Sequence, residues 1–389
     1  MRPCGAIGLL LLSLAPPVTS TSSAQYAARR EGDVVRLEDT KHQTVVSIIP
    51  SVGNQAFEMK VNGHNVLRWT HASVADFQAK PGSAGIPFLA PWADRLDEQA
   101  FYANGKRYAF DMDLGNVRGA MPIHGFLTTA PHWQVAEIKA DGKSAWVTST
   151  LDFFRQPAWM KQFPFAHRIT MTYRLQEGTL EVDTSIANMS AEPMPVSVGF
   201  HPYFKLTDST RDEWTISVPA KTHWVLAPTK VPTGETEPIE QVFPNPQSAG
   251  LKDYDLDDVF TDLVRDGQGR ARAVIEGRKQ KLEILLGANF RGIVVWAPNP
   301  SGTGRGSNAF SPNAPAGGPA PPPAGTAPGA GRAGGRGGAP RDPDFICIEP
   351  LAGIINGLNL AHKGLYKELQ HIEPGGTWQA SFWIRATGF

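Results

Sequence analysis

From Val34 onward, apolar and polar positions alternate with a period of two over much of the chain, the pattern of strands with one buried and one solvated face. The clearest case interleaves Ile169, Met171, Tyr173 and Leu175 with Arg168, Thr170, Thr172 and Arg174. Glu177-Gly178 then turns into Leu180, Val182, Thr184 and Ile186. This predicts a hairpin with one wet face. Further strands are expected at Thr44–Ile49, Ala56–Val61, Trp133–Ile138, Ala145–Leu151, Trp214–Val218, Lys281–Leu286, Gly292–Trp296, Phe345–Glu349 and Thr377–Ile384, with Gly53-Asn54 and Asn62-Gly63 as turns. No comparable segment sustains a 3.6-residue apolar stripe. The expected class is all-β, many-stranded, in two layered sheets.

Two regions break the pattern. Residues 63–126 are looser and rich in turn formers, and loops this long in a compact β domain usually carry function. Arg95 and His124 are the ionisable residues that stand out there; taken alone, Arg95 reads as a local ion pair with Asp94. The stretch from Ser301 to Pro340 consists mostly of Gly, Pro and Ala, with Arg305, Arg332 and Arg336 and no acid. Such a composition cannot bury enough apolar surface to order itself, so a disordered insertion is expected at about 299–343. Because strand-like runs flank it, it extends a hairpin-type connection within one domain, residues 25–389. Its single Gly-Gly-Arg-Gly-Gly is too little for an RNA-binding segment.

Charge narrows the partners. With 37 basic and 37 acidic residues there is no global field to draw in nucleic acid or an anionic membrane, and a neutral small molecule fits best. Ten Trp, 19 Phe and seven Tyr supply core material, and also flat faces on which sugar rings pack. Residues 1–24 read as an export signal: Arg2, then the apolar run Ala6–Ala15, then Ser22-Ser23-Ala24 as a cleavage site. The run is too short to span a bilayer comfortably, so an exported, periplasmic or extracellular protein without a membrane partner after cleavage is expected, with an uncleaved anchor as the alternative. Cleavage removes Cys4 and leaves Cys347 alone, which allows no internal disulfide.

The chemistry concentrates at Gly199–Leu206. Pro202 pushes His201 toward an extended conformation, and Phe200, Tyr203 and Phe204 are expected to wall the imidazole. Two readings stand for it, a tuned acid or a buried histidine bonded to backbone. Glu349 ends an apolar strand before Pro350, and a partly desolvated carboxylate at that lip makes a better base near neutral pH; a rim glutamate without a role is the alternative. Asp253, Asp255, Asp257 and Asp258 lack the glycine and distal glutamate of a calcium loop.

Arginine in a Pro-rich loop, His124-Gly125-Phe126, His201-Pro202-Tyr203-Phe204, Asp257-x-x-Phe260 and a strand ending in Glu349-Pro350 follow one another in an order that resembles the aldose 1-epimerase (galactose mutarotase) family, from about Val34 to Ile384. The resemblance implies a large antiparallel β-sandwich that interconverts the anomers of a free aldose, without metal or cofactor. It implies Glu349 as general base, His201 as general acid, and Arg95, His124 and Asp257 as sugar-binding residues. Asp94 departs from the family's usual asparagine, and the choice between Asp257 and Asp258 rests on spacing to Phe260. Three rivals remain: a sugar-phosphate epimerase, which needs a cationic cluster that the motifs lack beyond Arg95; a non-catalytic carbohydrate-binding protein; and a zinc hydrolase using His124, His201 and an acid, for which no close ligand spacing exists.

Overall fold

The hairpin read from residues 168–186 forms the spine of the largest sheet: His167–Gln176 and Thr179–Asn188 pair antiparallel along their whole length, alternating buried and more exposed positions. Around it lies a nine-stranded sheet, which runs in spatial order Gln134–Ala140, Ala145–Asp152, the hairpin, Thr377–Thr387, Lys281–Leu286, Ala271–Glu276, Thr215–Ser217 and Ala249–Gly250. The structure, a computed structural model, describes residues 24–113, 117–299, 301, 304–306 and 344–389. The expected export signal, apart from its last residue, and most of the expected 299–343 insertion lie outside the described residues.

An eight-stranded sheet packs against the first: Pro232–Pro238, Thr222–Leu226, Leu256–Thr261, Gly292–Ala297, Ile346–Leu351, Gly199–Phe200 and Phe88–Leu89 in order, with Tyr203–Phe204 also paired to Ile346–Leu351. The two layers share one apolar core, in which Phe200 of one sheet meets Phe382 of the other with ring centroids 4.9 Å apart. Tyr26–Glu31, Val34–Asp39, Thr44–Ile49, Gln55–Val61 and His64–Asn65 make a five-stranded antiparallel sheet beside them. The fold is a large antiparallel β-sandwich.

Thr44–Ile49 and Lys281–Leu286 are strands as read from the alternation. Trp133, Trp214 and Val218 lie just outside their strands. The looser region holds short elements that no long pattern announced. The helix Val74–Ala79 starts where Ser73 Oγ accepts the Asp76 N–H at 3.1 Å. The hairpin Ala100–Ala103/Lys106–Ala109 turns on Asn104-Gly105, both at positive φ. No helix among the described residues is long and apolar enough to cross a membrane.

One correction bears on the site. Glu349 does not end its strand: Ile346–Leu351 continues through Pro350, because pairing with Gly292–Ala297 runs on to Gly292↔Leu351. The base of the Gly/Pro/Ala-rich segment thus joins two strands that are direct antiparallel neighbours.

Candidate active site

Strand parity decides which side chains reach the site. Leu256 and Phe260 point into the shared core, so Asp257 points to the opposite face of the eight-stranded sheet. The registers Asp257↔Trp296, Trp296↔Cys347 and Tyr203↔Cys347 put these four side chains in one row on that face. Glu349, two residues beyond Cys347, shares the face and is 1% exposed, so it sits within the sheet and not at a lip. His201 follows Gly199–Phe200, and its N–H is anchored to the Pro87 carbonyl at 3.0 Å.

The walls of His201 differ from the expectation. Tyr203 stacks on the imidazole (4.6 Å, 16°), but Phe200 and Phe204 have the other parity and belong to the core. Trp296 at 5.5 Å and His124 at 5.4 Å, both edge-on, take their places.

Two loops bring the remaining groups. Arg95 is buried and bridges two carboxylates, Nη1 to Asp94 Oδ1 at 2.8 Å and Nη2 to Asp257 Oδ2 at 3.0 Å. The local pair read from the sequence is therefore real, and it extends across the chain. His124 sits at positive φ, and its Nδ1 accepts the Asp94 N–H at 3.2 Å, which leaves Nε2–H as a donor. The loop closes tightly behind it: a Cβ on Gly125 would lie 2.1 Å from the Ala90 carbonyl oxygen, so glycine is required there.

His201 Nε2 lies 3.2 Å from Glu349 Oε1. Burial drives both toward their uncharged forms. It lowers the imidazole to about 3, with His124 adding to the effect. It raises the Glu349 carboxyl well above the usual carboxylate range, helped by Asp94 and Asp257 and opposed by Arg95. These directions favour a carboxylic acid beside a neutral imidazole, and moving the acid's proton across the contact gives a carboxylate and an imidazolium. Burial lifts Asp257 to about 6 against the pull of Arg95. Burial and then the Arg95 charge lower His124 to about 3, in keeping with its acceptor role. Burial also opposes the charge on Arg95, but Asp94 and Asp257 outweigh it and hold the guanidinium ionised.

Arg95, His124, His201, Asp257 and Glu349 all line one cavity of about 420 Å3, a size suited to a small ligand. His201 Nδ1 and Glu349 Oε2 are buried without a hydrogen-bond partner in the protein, the kind of polar atom a ligand hydroxyl satisfies. Sequence reasoning missed Trp296, Gln55, Thr128, Thr129 and Arg118, which line the same cavity. Trp296 was legible only as a strand residue, and the others carried no signal. Asp258 does not line the cavity.

A metal fits these residues poorly. His201, Cys347 and Glu349 offer ligand atoms within 4.8 Å of one another. Cys347, however, is fully buried among Tyr203, Phe345 and Trp296, and does not line the cavity.

This architecture is the galactose mutarotase-like fold. The structure superposes on a galactose mutarotase-like protein from Clostridium acetobutylicum with a TM-score of 0.72 at 21% identity, covering 94% of this chain and 98% of that one. For galactose 1-epimerase from Lactobacillus acidophilus the TM-score is 0.65 at 15% identity, with 93% and 97% covered. The aldose 1-epimerase family model matches residues 33–384, and the chain belongs to that family. It is also 34% identical over 140 residues to the uncharacterized protein YphB of Escherichia coli, a match that spans 35% of this chain and 41% of that protein.

Proposed function

We propose that the chain interconverts the α and β anomers of a free aldohexose by acid/base opening and reclosure of the ring. The observation that carries this reading is the buried His201–Glu349 contact of 3.2 Å on the wall of a sugar-sized cavity. In the carboxylate–imidazolium arrangement, Glu349 takes the proton of the anomeric hydroxyl while His201 gives its proton to the ring oxygen. The O–H electron pair becomes the C1=O bond as the bond from C1 to the ring oxygen breaks. The product is the open-chain aldehyde beside a neutral acid and a neutral imidazole, the arrangement that burial favours. Rotation about C1–C2 presents the other face of the aldehyde. His201 then takes the C5 hydroxyl proton, Glu349 returns one to the carbonyl oxygen, and the other anomer closes. Each transfer accounts for about 10²–10⁴-fold. Arg95, His124 Nε2–H and Asp257 supply the donors and acceptors that hold the sugar hydroxyls.

Arg118, a second cation on the cavity, favours a second reading, in which the aldose carries a phosphate. Exchange between the anomeric NMR signals of glucose, galactose and glucose 6-phosphate distinguishes the two. Faster exchange for the free sugars supports the first reading, and faster exchange for the phosphate alone replaces it with the second. A non-catalytic binder would bind sugar, by calorimetry, and accelerate none of the three.

Export is part of the proposal. The pattern of Arg2, Ala6–Ala15 and Ser22-Ser23-Ala24 supports activity on sugars outside the cytoplasm. The amino terminus of the mature protein tests it, with Gln25 expected as the first residue and Met1 contradicting it.

A further inference from the structure

The strand parity that sends Asp257 to the cavity sends Asp258 to the other face, where it is 1% exposed. A carboxylate so placed needs donors or a cation. His223, from the neighbouring strand Thr222–Leu226, meets that need. Its Nε2 lies 3.1 Å from Asp258 Oδ1, and its Nδ1 lies 2.9 Å from Glu237 Oε1 on Pro232–Pro238. Both ring nitrogens therefore face carboxylate oxygens. A neutral imidazole has one N–H and would set a lone pair against one of the two carboxylates. Only the imidazolium donates to both.

The contact leads on to the cavity. Asp258 Oδ2 accepts the backbone N–H of Asp257 at 3.1 Å, and Asp257 Oδ2 accepts Arg95 Nη2 at 3.0 Å. We propose that His223 is a positioning residue: as an imidazolium clamped between Glu237 and Asp258, it fixes the backbone at Asp257 and so the Asp257–Arg95 pair on the cavity wall. The positioning role rests on the sugar-binding reading of the cavity; the imidazolium does not.

The surrounding charges agree. Burial pulls His223 down, but the hydrogen bonds and charges of Asp258 and Glu237 outweigh it and hold the imidazole above its ordinary range. Glu237 faces the ring from one neighbouring strand and Asp258 from the other, while Phe260 covers a face at 5.2 Å. Lys230, in the connection between Thr222–Leu226 and Pro232–Pro238, feels the charges of Asp257 and Asp258. Deprotonation of His223 as pH rises would leave Asp258 facing a ring with one donor to share between two carboxylates. The clamp is therefore complete below the folded-state pKa of His223 and is lost above it.

The test uses the mature chain with ¹⁵N-labelled histidine. Both nitrogens of His223 are expected to be protonated at pH 7, and its pKa should fall by at least about one unit in Asp258→Asn, the loss of one close charge partner. In His223→Gln, the KM and the calorimetric Kd for the sugar should rise about tenfold, the scale of one charge-assisted hydrogen bond, with kcat within about threefold. Wild-type KM should climb with pH through the His223 pKa, and the variant's should not. If His223→Gln fails to fold, Glu237→Gln at the half-exposed end of the clamp should show a lowered His223 pKa and a smaller rise in Kd. A neutral His223 at pH 7 overturns the proposal, as does a protonated one whose loss leaves Kd unchanged. Absence of wild-type turnover would remove the mutarotase reading alone, since the imidazole spectrum and the calorimetric Kd still decide this one.

Discussion

At Glu349 the requirements of stability and of the proposed chemistry conflict. An unfolded chain ionises this side chain at neutral pH, whereas the fold buries it and raises its pKa. The stability that its protonated form contributes is present below the unfolded pKa and is lost as pH rises toward the folded value. Replacing Glu349 by Gln removes that loss. The melting temperature of Glu349→Gln should match wild type near pH 4 and exceed it increasingly toward pH 8, by about 1 kcal/mol or more in stability, as thermal melts across that range would show. Turnover should fall by about 10²–10⁴-fold in the same variant. A second expectation concerns the pair as a unit. Because His201 and Glu349 share one proton, activity fails at low pH, where the imidazole gains a second proton near its lowered value of about 3, and at high pH, where the shared proton leaves. The pH profile of kcat should be flat across neutrality, whereas KM carries the titrations of Asp257 and His223. An inflection between pH 4 and 5 would mean that Glu349 titrates as an ordinary carboxylate.

At the scale of elements, the loop bearing His124 is tightly constrained. Gly125→Ala drives a methyl group toward the Ala90 carbonyl at a positive φ. It should cost more than about 2 kcal/mol by chemical denaturation and weaken sugar binding, since His124 moves with the loop. Much of this scale was legible beforehand. Alternation located the 167–188 hairpin because one of its faces is solvated, and the five residues that the ordered motifs named all line the cavity. The failures have physical causes. Pro350 looked like the end of a strand, but the strand continues through it, so Glu349 looked more exposed than it is. Nearness in sequence sets Phe200 and Phe204 beside His201, although His201 and Tyr203 share one parity and the phenylalanines the other. Parity against Phe260 would also have chosen Asp257 over Asp258. Trp296 and Arg118 reach the cavity through sheet pairing and loop folding, which no local pattern encodes.

For the whole molecule, the direct pairing of Gly292–Ala297 with Ile346–Leu351 means that the Gly/Pro/Ala-rich connection between them is not needed to hold them together. Shortening residues 307–343 to about a quarter of their length should leave the fold intact and not lower its stability, because the closure cost of a connection falls with its length. Calorimetry would show a melting temperature equal to wild type or slightly higher, and an unfolded product would contradict the pairing. In the mutarotase reading, a buried histidine and glutamate, brought together by one sheet, open and close a sugar ring. The most direct test of that reading is the decay of optical rotation of freshly dissolved α-D-glucose and α-D-galactose with wild-type protein lacking residues 1–24, beside Glu349→Gln and His201→Asn. Acceleration by wild type on at least one sugar, lost in both folded variants, is the predicted result. Equal acceleration by wild type and either variant, or none by folded wild type on either sugar, would contradict it.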